Sequence, residues 1–83
     1  MSTKEKLIER FKRQPKDFTW DELVRLFGIF DFDVDNKGKT SGSRTVFVKE
    51  EDEIEIHKPH PSKIIKKYAM KDVLNFLVDK GYL

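Results

Sequence analysis

Eleven consecutive residues of this 83-residue chain, His57-Lys58-Pro59-His60-Pro61-Ser62-Lys63-Ile64-Ile65-Lys66-Lys67, hold both of its histidines and four lysines, and contain no acid. Imidazoles can take up or release a proton near neutral pH, and fixed ammonium charges hold an anion. Gathered in one segment, these groups suit binding or breaking a phosphodiester, and an RNA phosphate is the expected occupant. The plain alternative is a solvated charged loop ahead of a helix.

The charge distribution supports a localised anion site. Basic and acidic residues nearly balance, 17 against 15, for a net charge of +2. They are segregated along the chain, which matters more than the sum. Asn36 to Lys49 carries three lysines and an arginine without an acid, Ile56 to Lys71 carries five lysines without an acid, and the negatives gather in Glu50, Glu51, Asp52, Glu53 and Glu55. Cysteine is absent, which excludes disulfides, thiolate metal sites and thiol catalysis. No apolar run approaches membrane-spanning length and the first residues lack an apolar signal core, so a soluble cytoplasmic protein with one modest core is expected.

The elements that must position these groups follow from periodicity. Ser2 and Glu5 form a capping box ahead of Leu7, Ile8 and Phe11, which predicts a helix over roughly residues 3 to 13, closed by Pro15. Thr19-Trp20-Asp21-Glu22 repeats the box before Leu23, Leu26, Phe27 and Phe30, with Gly28 expected as a left-handed stop. Phe30, Phe32 and Val34 alternate with Asp31, Asp33 and Asp35, the pattern of a strand with one buried face. Asn36 to Ser43 reads as a loop, Thr45-Val46-Phe47-Val48 and Glu53-Ile54-Glu55-Ile56-His57 as strands joined by a tight acidic hairpin, and Pro59 and Pro61 as the end of strand pairing. Met70, Val73, Leu74 and Leu77 give the stripe of a last helix stopped near Gly81.

Two other motifs fail. Asp31-Phe32-Asp33-Val34-Asp35 has the alternating acids of a calcium loop, but Asn36 stands where the turn glycine is needed and Gly42 where the closing glutamate is needed. Gly38-Lys39-Thr40 resembles the tail of a P-loop, yet Asp33 occupies the first glycine position and no helix follows.

From Trp20 onward the chain resembles the HicA toxins, small bacterial ribonucleases. The helix running into Gly28 and the following strand, then Gly42-Ser43-Arg44 where the family has Gly-Ser-His, then His60-Pro61-Ser62-Lys63-Ile64-Ile65-Lys66-Lys67 where it has His-Pro-Gly-Lys-Glu-Leu-Lys-Lys, occur in the family's order. The resemblance implies an α+β fold like that of the double-stranded RNA-binding domain: helix-strand-strand-strand-helix, with a three-stranded antiparallel sheet and both helices on one face. An extra N-terminal helix stands before it, so that residues 1–17 are an extension and residues 18–83 the HicA-like RNA-binding and cleaving domain. It further implies a toxin that cleaves single-stranded messenger RNA and is neutralised by a HicB-type antitoxin.

The expected site residues follow from that comparison. Arginine stays protonated, so Arg44 cannot accept the proton that the family's histidine would take, although it can grip a phosphate or a pentavalent transition state. Proton transfer then falls to His60, which matches a family position, or to His57. Lys39, Ser43, Arg44, Lys58, Lys63, Lys66 and Lys67 are the expected RNA contacts, through phosphates and 2′-hydroxyls. With an even-numbered hairpin turn Arg44 faces His57; with an odd one it faces Lys58. No metal or small-molecule cofactor is expected, because no carboxylate cluster adjoins the basic loop. The plain readings are His57 as a strand residue beside Glu55 or Thr45, His60 as a turn residue, Ser43 as a loop hydrogen-bonding group, and Trp20 as core rather than a stacking platform for bases; Tyr68 is a further stacking candidate. Loss of the histidine at Arg44 leaves a second function open, a non-catalytic module that binds RNA or the antitoxin. The first helix is expected to pack on the core, its basic side chains solvated.

Overall fold

The computed structural model describes residues 3–35, 44–59 and 62–83. The elements run α1 (Thr3–Lys12), α2 (Trp20–Ile29), β1 (Asp33–Asp35), β2 (Arg44–Lys49), β3 (Asp52–His57) and α3 (Lys67–Asp79). The strands make one antiparallel sheet in the order β1-β2-β3. From α2 onward this is the expected α+β arrangement of helix, three strands and helix, consistent with a double-stranded-RNA-binding-domain type of fold. The capping box at Ser2 and the expectations for Lys39, Ser43 and His60 lie outside the described residues.

The start of α2 is fixed by the predicted box: the Thr19 hydroxyl accepts the Glu22 amide at 3.2 Å, and the Glu22 carboxylate accepts the Thr19 amide at 3.0 Å. The same carboxylate receives a fork from Arg10 on α1, with Nε at 2.8 Å from one oxygen and Nη2 at 3.3 Å from the other. Arg10 also donates to the Asp17 carboxylate at 3.0 Å and carbonyl at 3.2 Å, and lies over the Phe18 ring. Arg10 stays 38% exposed but is more than a solvated charge: it clamps α1 across the entrance of α2, above the buried Leu7 and Phe11. A paired, planar guanidinium loses little by leaving water when each donor finds an oxygen.

The end of α2 departs from expectation. Gly28 lies inside the helix, and the left-handed residue is Asp31, at φ 66°. The Asp31 amide donates to the Gly28 carbonyl at 3.0 Å and the Phe32 amide to the Phe27 carbonyl at 3.0 Å, a Schellman closure whose apolar partners, Phe27 and Phe32, stack edge to face at 5.1 Å. The gain from burying that ring pair outweighs the cost of a non-glycine left-handed residue. The strand consequently begins at Asp33 rather than Phe30, and Val34, expected to be buried, is 43% exposed because β1 is a three-residue edge strand. The end of α3 repeats the motif where predicted, at Gly81 with φ 83°: the Gly81 amide donates to Val78 and the Tyr82 amide to Leu77.

Lys49 pairs with Asp52, so Glu50 and Glu51 alone make the hairpin turn, and the even count aligns Arg44 with His57. Glu50 sits at φ 55°, a conformation that glycine or asparagine would adopt more readily. The turn is held from outside by Tyr82, whose hydroxyl donates to Asp52 at 3.0 Å; burial and then this carboxylate push the phenol pKa up. Thr45, Phe47 and Ile56 face the helices, where Phe47 stacks on Phe27 at 4.2 Å and meets Trp20 at 5.8 Å. Trp20, Leu23, Leu26 and Phe27 from α2 and Met70, Val73 and Leu77 from α3 complete the core. Among the described residues no helix is long and apolar enough to cross a membrane.

The Arg10 hydrogen bonds above all, helped by Thr19 and opposed by partial burial, hold the Glu22 carboxyl below its ordinary pKa. A depressed carboxylate stabilises the fold at neutral pH and loses that contribution as pH falls through the folded-state value. Glu22→Gln should therefore cost about 1 kcal/mol at neutral pH, a charge-assisted pair discounted for partial exposure. The deficit should shrink toward zero in acid, as read by urea unfolding of both proteins across the carboxylate range; a deficit independent of pH would refute the role given to this ion pair.

Candidate nucleic-acid interface

The segment ahead of α3 is not a free loop. Its Lys63 carbonyl accepts the Trp20 amide and its Ile65 amide donates to the Phe18 carbonyl, both at 2.8 Å, an antiparallel bridge centred on Thr19 and Ile64. Ile65 is buried beside Phe18 and Trp20. This pairing was absent from the sequence expectations, which ended strand pairing at the prolines; its one local signal was the β-branched pair Ile64-Ile65 in an otherwise polar run. It fixes where α3 begins and where the lysines around it point.

On the outward face of the sheet, Arg44 at the start of β2 and His57 at the end of β3 are register partners, with side chains 48% and 59% exposed. Glu55 shares that face by strand alternation. Its Oε1 accepts Arg44 Nε at 2.9 Å and lies 3.9 Å from His57 Nε2, beyond hydrogen-bond range. Of the two neighbours named for His57, Glu55 is on its face and Thr45 is buried on the other. Asp33, Asp35, Glu53 and Glu55 make the rest of the outward face acidic around Val46 and Val48, so a polyanion is repelled from its centre.

At that end a cleft of about 250 Å³ is lined by His57, Lys58, Pro59, Lys66 and Tyr68 over Ile65. Tyr68 is 59% exposed, while Trp20 is sealed in the core. Lys66 is the N-cap of α3 and provides no side-chain cap, and the first turn carries no acid, so the positive end of the helix dipole is uncompensated beside the cleft. Among the expected contacts, then, His57, Lys58 and Lys66 come together in the cleft, and Arg44 stands outside its lining as the register partner of His57. Lys63 is exposed on the bridging segment. Lys67 turns toward a second hollow, with Lys16 and Lys71. Glu55, the acid that holds Arg44, was not among the predicted site residues, although its spacing of two from His57 was the signal. Among the described residues no three His, Asp or Glu side chains converge as a metal site would require.

An α+β domain of double-stranded-RNA-binding type, with a lysine-edged cleft at the root of its last helix, is the class so defined. The sequence model of the HicA toxin of bacterial toxin–antitoxin systems matches residues 20–76, and the chain belongs to the HicA toxin family. It is thus the toxin side of a toxin–antitoxin pairing. No curated protein and no solved structure matches it.

Because Ile65 anchors the cleft, Ile65→Ala should lower stability by about 2 to 4 kcal/mol through cavity formation. Hydrogen exchange at the Trp20 and Ile65 amides should accelerate more than at Val73 in the core of α3. Uniform acceleration at all three would mean that the bridge has no local role.

Proposed function

We propose that this toxin is a metal-independent endoribonuclease acting on single-stranded messenger RNA in the cytoplasm, and that a HicB-type antitoxin neutralises it. Residues 18–83 would be the acting domain and residues 1–17 an extension docked on it. The observation that carries the reading is the pairing of Arg44 with His57. Directly opposed residues have Cβ atoms only about 4.5 to 5.5 Å apart, so an imidazole stands within one side-chain length of the position where the family's histidine is replaced.

In the proposed reaction an imidazole accepts the 2′-hydroxyl proton as that oxygen attacks phosphorus. The bond to the 5′-oxygen breaks, and an acid returns a proton to it, leaving a cyclic phosphate and a free 5′-hydroxyl. His57 and His60 are the candidate proton carriers. Arg44 stabilises the pentavalent phosphate, Lys58, Lys63, Lys66 and Lys67 neutralise the flanking backbone together with Lys39, and Ser43 donates a hydrogen bond to it. Tyr68 provides a face for one unstacked base. The ion pair between Arg44 and Glu55 favours a second reading, RNA binding without cleavage, since a guanidinium engaged by a carboxylate has less charge to offer.

Incubation of the pure protein with unstructured RNA in chelator separates the two. The expected result is cleavage with cyclic phosphate ends, reduced at least about 100-fold in His57→Ala or His60→Ala, the usual scale for losing a general acid or base. Intact RNA with a salt-sensitive mobility shift would favour the binding module.

Glu55→Gln removes one negative charge and frees Arg44. RNA affinity at low salt should rise several-fold, and the slope of log affinity against log salt should steepen by roughly one phosphate contact. Unchanged affinity and slope in a fluorescence titration would exclude Arg44 from the RNA surface.

A further inference from the structure

The larger of the two hollows is not lined by His57. A groove of about 640 Å³ shares Pro59, Ile65 and Lys66 with the cleft and continues between α3 and the connection that joins α1 to α2. Its floor and walls are aliphatic, formed chiefly by Pro15, Ile64, Met70 and Leu74, and its border carries Lys16, Lys66, Lys67 and Lys71 with no acidic residue. The volume lies within the range of about 300 to 1,000 Å³ typical of sites that enclose a ligand.

One wall of this groove, Gln14 to Lys16, precedes the segment that matches the family, residues 20–76. That wall is preformed. Gln14 takes a left-handed conformation at φ 52°, its amide and its side chain both donate to the Phe11 carbonyl, at 2.9 and 3.1 Å, and Arg10 ties Asp17 down beyond it. Pro15 has no amide to donate and restricts the backbone further. Binding here would order little of the protein, which favours affinity.

The chemistry of the lining selects the occupant. Unpaired bases stack on aromatic faces, and among the described residues this groove has none: the exposed Tyr68 belongs to the cleft at His57. Aliphatic side chains together with an adaptable methionine instead receive the apolar anchors of a peptide, spaced as on one face of a helix. Four lysines without a carboxylate call for acids flanking those anchors. We propose that the groove is a docking site for a protein partner's acidic segment bearing leucine-like anchors, adjoining the RNA cleft at Pro59, Ile65 and Lys66 and independent of RNA cleavage.

The test uses the full chain and three fluorescent probes: a peptide with leucine at every fourth position among glutamates and aspartates, the same peptide with serine for leucine, and an unstructured oligouridine. The leucine peptide should bind saturably in the micromolar range and the serine peptide at least about ten-fold more weakly. Amide resonances of Ile64, Met70 and Leu74 should shift on binding. The surface double variant Lys16→Glu/Lys71→Glu should weaken the peptide about ten-fold or more and oligouridine several-fold less, the smaller loss being the general effect of four units of charge near the cleft. Leu74→Gln should weaken the peptide likewise, and the double variant tests the site even if Leu74→Gln unfolds. No saturable binding of the leucine peptide, equal binding of the serine peptide, or a double variant that loses oligouridine instead of peptide would overturn the proposal, the last outcome assigning the groove to RNA.

Discussion

Two backbone hydrogen bonds at 2.8 Å, Trp20 to Lys63 and Ile65 to Phe18, govern the geometry of the basic residues at the root of α3. They lie where the polar backbone is pressed against buried Phe18, Trp20 and Ile65, and an unpaired amide or carbonyl there would be costly. Thr19, at the centre of the bridge, is also the N-cap of α2 and the partner of Glu22, which holds Arg10 of α1. One residue thus links three segments distant in sequence: the end of the first helix, the start of the second and the approach to the third. The root of α3 is positioned by this junction rather than by any side-chain cap of its own.

Aromatic packing completes the constraint. Phe27 is stacked on Phe47 and set edge to face against Phe32, which in turn meets Phe76 and Tyr82. Phe32 and Tyr82 occupy the same position in two helix terminations, each just past a left-handed residue, and the rings approach to 5.2 Å. The helix ends are therefore part of the core rather than its margin. In a domain this small, aromatic pairs add roughly 0.5 to 1.5 kcal/mol each beyond their burial, which is large against a marginal total.

Local patterns were legible in the sequence and distant ones were not. The capping box at Thr19, the stripe of α3 with its stop at Gly81, and the two hairpin strands follow from spacing alone, and the register of Arg44 was narrowed to two partners by counting. Gly28 misled because a glycine signal was weighed without the ring pair, Phe27 and Phe32, that makes Asp31 the better terminus. Val34 misled because alternation reports which side a residue faces, and not whether anything covers it. The Arg10 clamp and the bridge at Ile64 join residues 12 and about 45 positions apart, and no local period encodes either. At the site, alternation placed His57 and Glu55 together, but that Lys66 borders both hollows while Lys67 borders only the larger depends on where α3 begins, which the distant bridge decides.

The near-neutral net charge conceals a division of surface that bears on mechanism. The outward sheet face carries four carboxylates, and the one guanidinium among them is tied to Glu55, so this face cannot hold a polyanion across its width. Among the described residues of the sheet, attraction is greatest at the end where His57 and Lys58 leave it and the uncapped start of α3 approaches. On the proposed function, RNA reaching His57 would run along the root of the helix rather than across the sheet. Arginine at position 44 keeps a permanent positive charge beside this acidic face, where a second imidazole would not, and that charge is met by Glu55 at 2.9 Å.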